Sequence, residues 1–91
     1  TGMEPPPLST PAKRVLSVLR ESAMDGYVLL SKSGVTTAEL SEAALELIDR
    51  GLIVIKGEPT SERVLESYMY VPPNAIGYVD VLLGRVRYQA R

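Results

Sequence analysis

Hydrophobic positions recur with helical spacing most clearly between Thr36 and Gly51. Thr36 followed by Glu39 fits a capping box, in which the threonine and glutamate side chains each satisfy a free backbone N–H group. Gly51 stands where a left-handed helix end needs a residue without Cβ. These signals predict a helix over 37–50. Its buried stripe has the spacing i, i+3, i+4, i+7 and i+8: Leu40, Ala43, Ala44, Leu47 and Ile48.

The residues after this helix alternate as strands do. Two arms, 52–56 and 66–71, are rich in branched and aromatic side chains, and a polar turn over 57–62 separates them. Tyr68 and Tyr70 flank Met69, so one face of the second arm should pack and the other should be exposed. Pro72 and Pro73 end that arm, because proline cannot donate to a strand ladder. The pattern predicts a small antiparallel hairpin.

Three further segments carry apolar patterns. Thr10-Pro11 is typical of a helix start, with the Thr10 hydroxyl as the cap and Pro11 as the first helical residue. The buried stripe predicted behind it is Ala12, Val15, Leu16, Leu19 and Ala23. The segment 27–33 permits either a short strand or two turns of buried helix, since periodicity alone does not separate them. A last helix is predicted from a cap at Asn74 to about Gln89, and it is apolar over a wide arc.

The central stretch resembles the second half of a winged helix-turn-helix domain. The residues that carry the resemblance are Gly34-Val35-Thr36 at the turn and Leu47-Ile48-Asp49-Arg50-Gly51-Leu52-Ile53 leading into the hairpin. In that family the helix after the turn is the recognition helix and the hairpin is the wing. The resemblance covers roughly 11–73, and it implies that 27–33 is a short helix.

The predicted fold class is therefore α+β: mainly α with a small β-hairpin, as three helices, a wing and an additional C-terminal helix. The 91 residues divide into a Pro-rich leader (1–9), a winged helix-turn-helix domain (10–73) and a C-terminal helix (74–91). A different small helical bundle with an attached hairpin is the alternative fold.

Composition excludes several classes of function. The chain has no cysteine and no histidine, so the commonest metal ligands and the commonest general base are missing. No nucleophile–base set, metalloprotease motif or glycine-rich phosphate loop occurs. We therefore expect no enzyme activity, cofactor or metal. No apolar run is long enough to span a membrane, which predicts a cytoplasmic protein. Scarce heat-labile side chains, with single Asn and Gln residues, favour a thermophilic source.

The resemblance implies a DNA-binding transcriptional regulator, yet the charge pattern opposes that function. The net charge is −1 and the sequence pI is about 5.4. The outward face of the 37–50 helix is predicted to hold Ala38, Glu42, Leu45 and Asp49, and no Lys or Arg precedes Arg50 on this helix. In a complex with double-stranded DNA, the residues expected near bases are Thr36, Thr37, Ser41 and Glu42. The residues expected to contact phosphates are Lys32, Lys56 and Arg63.

Two hypotheses about the binding partner therefore remain open. In the first, the chain is a homodimeric DNA-binding regulator; the dimer interface is formed by the wide apolar arc of the last helix, at Ile76, Val79, Leu82, Leu83 and Val86. In the second, the acidic face of the 37–50 helix, with Leu45 at its centre, binds a protein partner instead of DNA. A continuous basic stripe beside the turn would favour DNA, and scattered cations would favour a protein.

Overall fold

A computed structural model of the chain describes residues 7–85. This part of the chain holds four α-helices: α1 (Thr10–Glu21), α2 (Gly26–Ser33), α3 (Thr37–Asp49) and α4 (Ile76–Leu82). Three short strands form one antiparallel sheet in the order β1-β3-β2: β1 (Met24–Asp25), β2 (Val54–Lys56) and β3 (Tyr68–Tyr70). The predicted α+β class, mainly helical with a small hairpin, is confirmed at this level.

The N-cap of α1 lies one residue earlier than the sequence predicts. Ser9 is the N-cap, and its hydroxyl accepts a hydrogen bond of 3.3 Å from the backbone N–H of Ala12. Thr10 is therefore the first helical residue and not the cap. The predicted stripe is buried as far as Leu19, but Ala23 is exposed, because the helix ends at Glu21 and Ala23 lies beyond it.

The ambiguous segment after α1 is helical, as the family resemblance implied. The carboxylate of Asp25 accepts a 3.0 Å hydrogen bond from the backbone N–H of Val28, which caps α2. Leu29 is fully buried in the core. Gly34 ends the helix with φ 71°, a left-handed conformation that a residue without Cβ adopts at little cost.

The two ends of α3 form as the sequence predicts. Thr36 accepts from the N–H of Glu39 at 3.1 Å, and the Glu39 carboxylate accepts from the N–H of Thr36 at 2.9 Å. At the other end, Gly51 has φ 70°, and the N–H of Leu52 bonds to the carbonyl of Leu47 at 2.9 Å. The predicted stripe is buried except for the partly buried Ile48.

The hairpin is shorter than predicted and has a third strand beside it. Met69 of β3 lies opposite Ile55 of β2 on one side and opposite Met24 of β1 on the other. Met69 is fully buried and Tyr68 is exposed, so the predicted alternation of β3 is confirmed. The two-residue strand β1 was not predicted, because so short a segment shows no period of its own.

The connection between β2 and β3 is a folded loop and not an open polar turn. It contains a 3-10 turn at Val64–Glu66, and the side chain of Val64 is completely buried. The backbone N–H of Gly26 donates to the carbonyl of Ser67 at 2.9 Å. The Ser67 hydroxyl lies 2.8 Å from the Arg63 carbonyl and accepts from the N–H of Glu58 at 2.9 Å. The loop is thus fastened both to itself and to the start of α2.

The predicted C-terminal helix is wrong in its length and its cap. Asn74 lies inside a 3-10 turn, Pro73–Ala75, and makes no cap hydrogen bond. Helix α4 ends at Leu82, because Gly84 turns left-handed with φ 73° and the N–H of Arg85 bonds to the carbonyl of Asp80 at 2.9 Å. Residues 86–91, including the predicted helix end at Gln89, lie outside the described residues.

A bidentate ion pair joins α4 to α1. The Arg20 guanidinium donates from Nε to Oδ1 of Asp80 at 2.7 Å and from Nη2 to Oδ2 at 3.0 Å. The hydrogen bonds from Arg20 hold the pKa of the Asp80 carboxyl below its usual value, and the same pair raises the pKa of Arg20. Val79, one residue earlier, is fully buried in the core.

Gly26→Ala is expected to destabilise the protein by about 1–3 kcal/mol, because the core contact at this residue leaves no room for a methyl group. A Cβ at Gly26 would collide with the Val64 carbonyl oxygen and lie 2.6 Å from Cα of Leu65. Both are backbone atoms, so no side-chain rotation relieves the collision. Gly77→Ala is the matched control, since no atom lies within 4 Å of its added Cβ. Equal urea midpoints for the two variants would contradict this account of the packing.

Asp80→Asn is expected to cost stability at neutral pH and much less in acid. Because the folded pKa of Asp80 is lowered, the pair's contribution is complete above the ordinary carboxyl value of 3.8 and is lost as the pH falls through the lower folded pKa. Urea unfolding at about pH 7 and about pH 3 should therefore show the difference from wild type shrinking in acid. Glu62→Gln, in the exposed loop, controls for the loss of one carboxylate. A difference from wild type that is equal at both pH values would exclude the ion pair as its source.

Candidate nucleic-acid interface

The outward face of α3 is the one that the helical spacing predicts. Ala38, Glu42, Leu45 and Asp49 are all exposed along its length. Leu45 is 52% exposed, which is high for a leucine in the middle of a helix. This face presents two carboxylates and one large apolar side chain, and none of its four residues is a cation.

The other two carboxylates of α3 are engaged within the chain. Glu39 completes the capping box at the helix start. Glu46 accepts a 3.0 Å hydrogen bond from the backbone N–H of Ser9 and a 2.7 Å bond from its hydroxyl. Because Ser9 is also the cap of α1, Glu46 ties the start of α1 to the side of α3. All four carboxylates of α3 keep their charge, and Glu42 and Asp49 are the two on its outward face.

Ser41, a predicted base contact, is placed differently. The residue is 8% exposed, and its hydroxyl donates to the carbonyl oxygen of Pro59 in the loop before β3. The hydroxyl thus joins α3 to that loop and does not face outward. Thr36 at the cap and Glu42 are exposed, and Thr37 is partly exposed, so all three are accessible from solvent as predicted.

Cations from α1 and α2 meet beside the turn between α2 and α3. They line an open groove of about 640 Å³, which we call the basic groove. Its lining comes from α1, the end of α2 and the end of α4: Lys13, Arg14, Ser17, Val18, Lys32, Ser33, Leu82, Leu83 and Gly84. Arg14 also lines a smaller recess with Val35 and Glu39, at the start of α3. The groove therefore borders the turn between α2 and α3.

The sequence analysis predicted Lys32 as a phosphate contact but did not group it with Lys13 and Arg14. Lys13 and Arg14 lie nearly twenty positions earlier in the chain, on a separate helix. Their shared surface exists because α1 packs against both α2 and α3. The sequence around each of these residues does not predict how α1 packs against α2 and α3, so the cluster is seen only in the tertiary structure.

Neither of the two predicted phosphate contacts in the hairpin, Lys56 and Arg63, lines the basic groove. Lys56 is exposed on the sheet, opposite Tyr68. Arg63 lines a small recess that also contains two acidic residues, Glu58 and Glu66. The hairpin is consequently less favourable for an anion than the basic groove.

The predicted dimer residues divide into different environments. Val79 is buried in the domain's own core, so it has no surface left for a partner. Leu82 and Leu83 are partly buried against that core, and Ile76 is partly buried. Val86 lies outside the described residues. The apolar side chains that α4 does expose are Tyr78 (43%) and Val81 (40%).

Comparisons of the chain with protein-family models, with curated proteins and with solved structures gave no match in any of the three. In the described part of the chain, no three acidic side chains come together as a set of metal ligands. Each helix within residues 7–85 is too short or too polar to cross a membrane.

Proposed function

We propose that the chain is a winged helix protein that binds double-stranded DNA and acts as a transcriptional regulator. The order of elements supports this proposal: α2 and α3 are joined by a glycine turn, and an antiparallel hairpin follows α3 directly. In this arrangement α3 is the recognition helix and the loop between β2 and β3 is the wing. The exposed residues at the N-terminal end of α3 are the ones that enter the major groove.

The observation that carries the proposal is the convergence of Lys13, Arg14 and Lys32 beside the α2–α3 turn. Phosphate attraction supplies most non-specific affinity for DNA, and it requires cations next to the reading helix. The chain as a whole is slightly acidic, and two of the α3 carboxylates, Glu42 and Asp49, face outward. Three cations that line one groove make this part of the surface more favourable for phosphate than the net charge of −1 suggests.

Base contacts fall to the exposed start of α3. The hydroxyls of Thr36 and Thr37 can donate to or accept from base edges, and the Glu42 carboxylate can accept from the amino group of cytosine. Ser41 contributes indirectly, because its bond to Pro59 fixes the wing relative to α3. Arg14 and Lys32 would then contact the phosphates that flank the reading helix.

The test compares two double variants that remove the same charge. Binding to mixed-sequence duplex DNA is measured by fluorescence anisotropy at several salt concentrations. Arg14→Ala with Lys32→Ala is expected to weaken binding for every sequence and to reduce the salt slope by about 2, since each phosphate contact contributes about 0.9. Lys56→Ala with Arg63→Ala, which changes the wing, should have the smaller effect.

Two results would contradict the DNA proposal. One is the absence of wild-type binding even at low salt, and the other is an unchanged salt slope in the Arg14/Lys32 variant. A larger loss in the wing variant would keep DNA as the ligand but move the phosphate contacts to the hairpin.

A homodimer through α4 remains part of the proposal, with its contact moved to Tyr78 and Val81. Val81→Glu places a charge on the exposed side and should convert a dimer to monomers in light scattering without unfolding the domain. Leu82 and Leu83 are poorer probes, because they pack on the core and their loss would also destabilise the fold. Val28→Glu, at an exposed residue of α2, is the matched control. An unchanged mass for Val81→Glu would remove α4 from the interface.

A protein partner for α3 is the second candidate function, and Leu45 is the observation that favours it. Leu45 is half exposed between Glu42 and Asp49, a surface that suits a partner with an apolar contact inside a basic rim. If the chain fails to bind DNA at low salt, retention of a protein partner by wild type but not by Leu45→Glu would support this function.

A further inference from the structure

Leu45 is the most exposed large aliphatic side chain within residues 7–85, and two carboxylates flank it along α3. The residue is 52% exposed. Glu42 lies three positions before it and Asp49 four positions after it, so all three share one side of the helix, within about 10 Å along its axis. Such a surface is complementary to apolar side chains that have cations around them.

The basic groove offers that combination of side chains. Its cations are Lys13 and Arg14 on α1 and Lys32 on α2, and all three are exposed. Leu82 and Leu83, at the end of α4, line the same groove as partly buried apolar side chains. The groove is open and has a volume of about 640 Å³, so the convex side of a helix can enter it.

The acidic face and the basic groove lie on different sides of one chain. Helix α3 contributes no residue to the groove lining that the structure describes. The buried stripe of α3, which includes Leu40 and Leu47, faces the core that α3 shares with α1, so Leu45 points away from α1. The α3 face of one copy therefore cannot enter the groove of the same copy, and a second copy is needed to bring the two surfaces together.

The charges of the two surfaces are opposite in sign. The helices that line the groove, α1, α2 and α4, contain two carboxylates, Glu21 and Asp80, and each forms an ion pair with an arginine. Glu39 of α3 shares a smaller recess with Arg14 and opposes the contact. Because three groove cations meet two incoming carboxylates, the balance of charge still favours the contact.

We infer that the outward face of α3 docks into the basic groove of a second copy of this chain. Leu45 packs on Leu82 and Leu83 of the other copy, and Glu42 and Asp49 pair with the cations around them. The inference rests on the second candidate function, a protein contact through α3, and it names the partner. The groove cations are also the proposed phosphate contacts, so a groove that holds another copy cannot bind DNA, and self-docking competes with DNA.

The contact is head-to-tail, because each copy carries both surfaces. It can therefore repeat from copy to copy, and the average mass of the wild type in sedimentation should rise past that of a dimer. A dimer through α4 alone would stop at two copies. One helix face in one groove is a small interface, so we expect the association to be weak, to need high protein concentration and to weaken with salt.

The decisive experiment mixes two variants that each lack one of the two surfaces. The face variant, Glu42→Ala with Leu45→Ala, keeps the groove, and the groove variant, Arg14→Ala with Lys32→Ala, keeps the α3 face. All four residues are exposed on helices, where alanine is well tolerated, so both variants should fold. When the ¹⁵N-labelled face variant is titrated with the unlabelled groove variant at low salt, NMR should show saturable shifts at groove amides such as that of Ser17. With the labels reversed, the shifts should appear along α3.

The matched control titrates the labelled face variant with unlabelled face variant, whose α3 face is gone. The loss of a central apolar contact should lower the affinity about tenfold in this mixture. Adding Lys56→Ala and Arg63→Ala to the labelled chain, which removes two cations outside the groove, should leave its affinity for the groove variant unchanged. Equal affinity for the two titrants, shifts confined to Tyr78 and Val81 of α4, or no saturable shift would overturn the inference.

Duplex DNA separates the failure of this inference from the failure of the proposed functions. If the two variants do not associate but the wild type binds DNA, self-docking fails and the DNA proposal stands. If the variants associate and DNA does not bind, the DNA proposal fails alone. If they do not associate but another protein is retained through Leu45, the second candidate function stands and a second copy is excluded as its partner.

Discussion

The close approach of Gly26 to the Val64 carbonyl is the contact on which the arrangement of the domain depends. It joins the first residue of α2 to the loop between β2 and β3, and the hydrogen bond from Gly26 to Ser67 fixes the same two segments. Since α2 leads into α3 through a tight turn, this contact sets where the hairpin lies relative to α3. The bond from Ser41 to Pro59 fixes the other side of the loop. The loop is therefore held at two points and positioned by backbone contacts.

Local signals in the sequence predicted the helices whose ends are set by capping and stop residues at the ends themselves. The capping box at Thr36, the glycine stop at Gly51 and the stripe of α3 are all decided by interactions within a few positions of each other. The same reasoning failed at α4, where Gly84 is an equally good stop signal that the long apolar pattern concealed. A pattern of apolar residues along a helix predicts which side chains are buried, but it does not predict where the helix ends.

The candidate site was less predictable, because its residues meet only through tertiary packing. Lys13 and Arg14 belong to α1, and nothing near them in sequence indicates a neighbour at the end of α2. Ser41 was expected on the surface from helical angle alone, yet the loop folds over it and takes its hydroxyl. Both errors come from contacts between segments far apart in the chain, which periodicity does not encode. By contrast, the exposure of Leu45 followed directly from the position of the buried stripe.

Helix α4 has only seven residues, too few to be stable as an isolated helix in water. Its helical state must therefore come from docking, through Val79 in the core and the ion pair between Asp80 and Arg20. The same segment supplies Leu82, Leu83 and Gly84 as one wall of the basic groove. The groove consequently has a local folding equilibrium of its own. Its wall exists only while α4 is docked, so any molecule bound against that wall shifts a coil-to-helix transition.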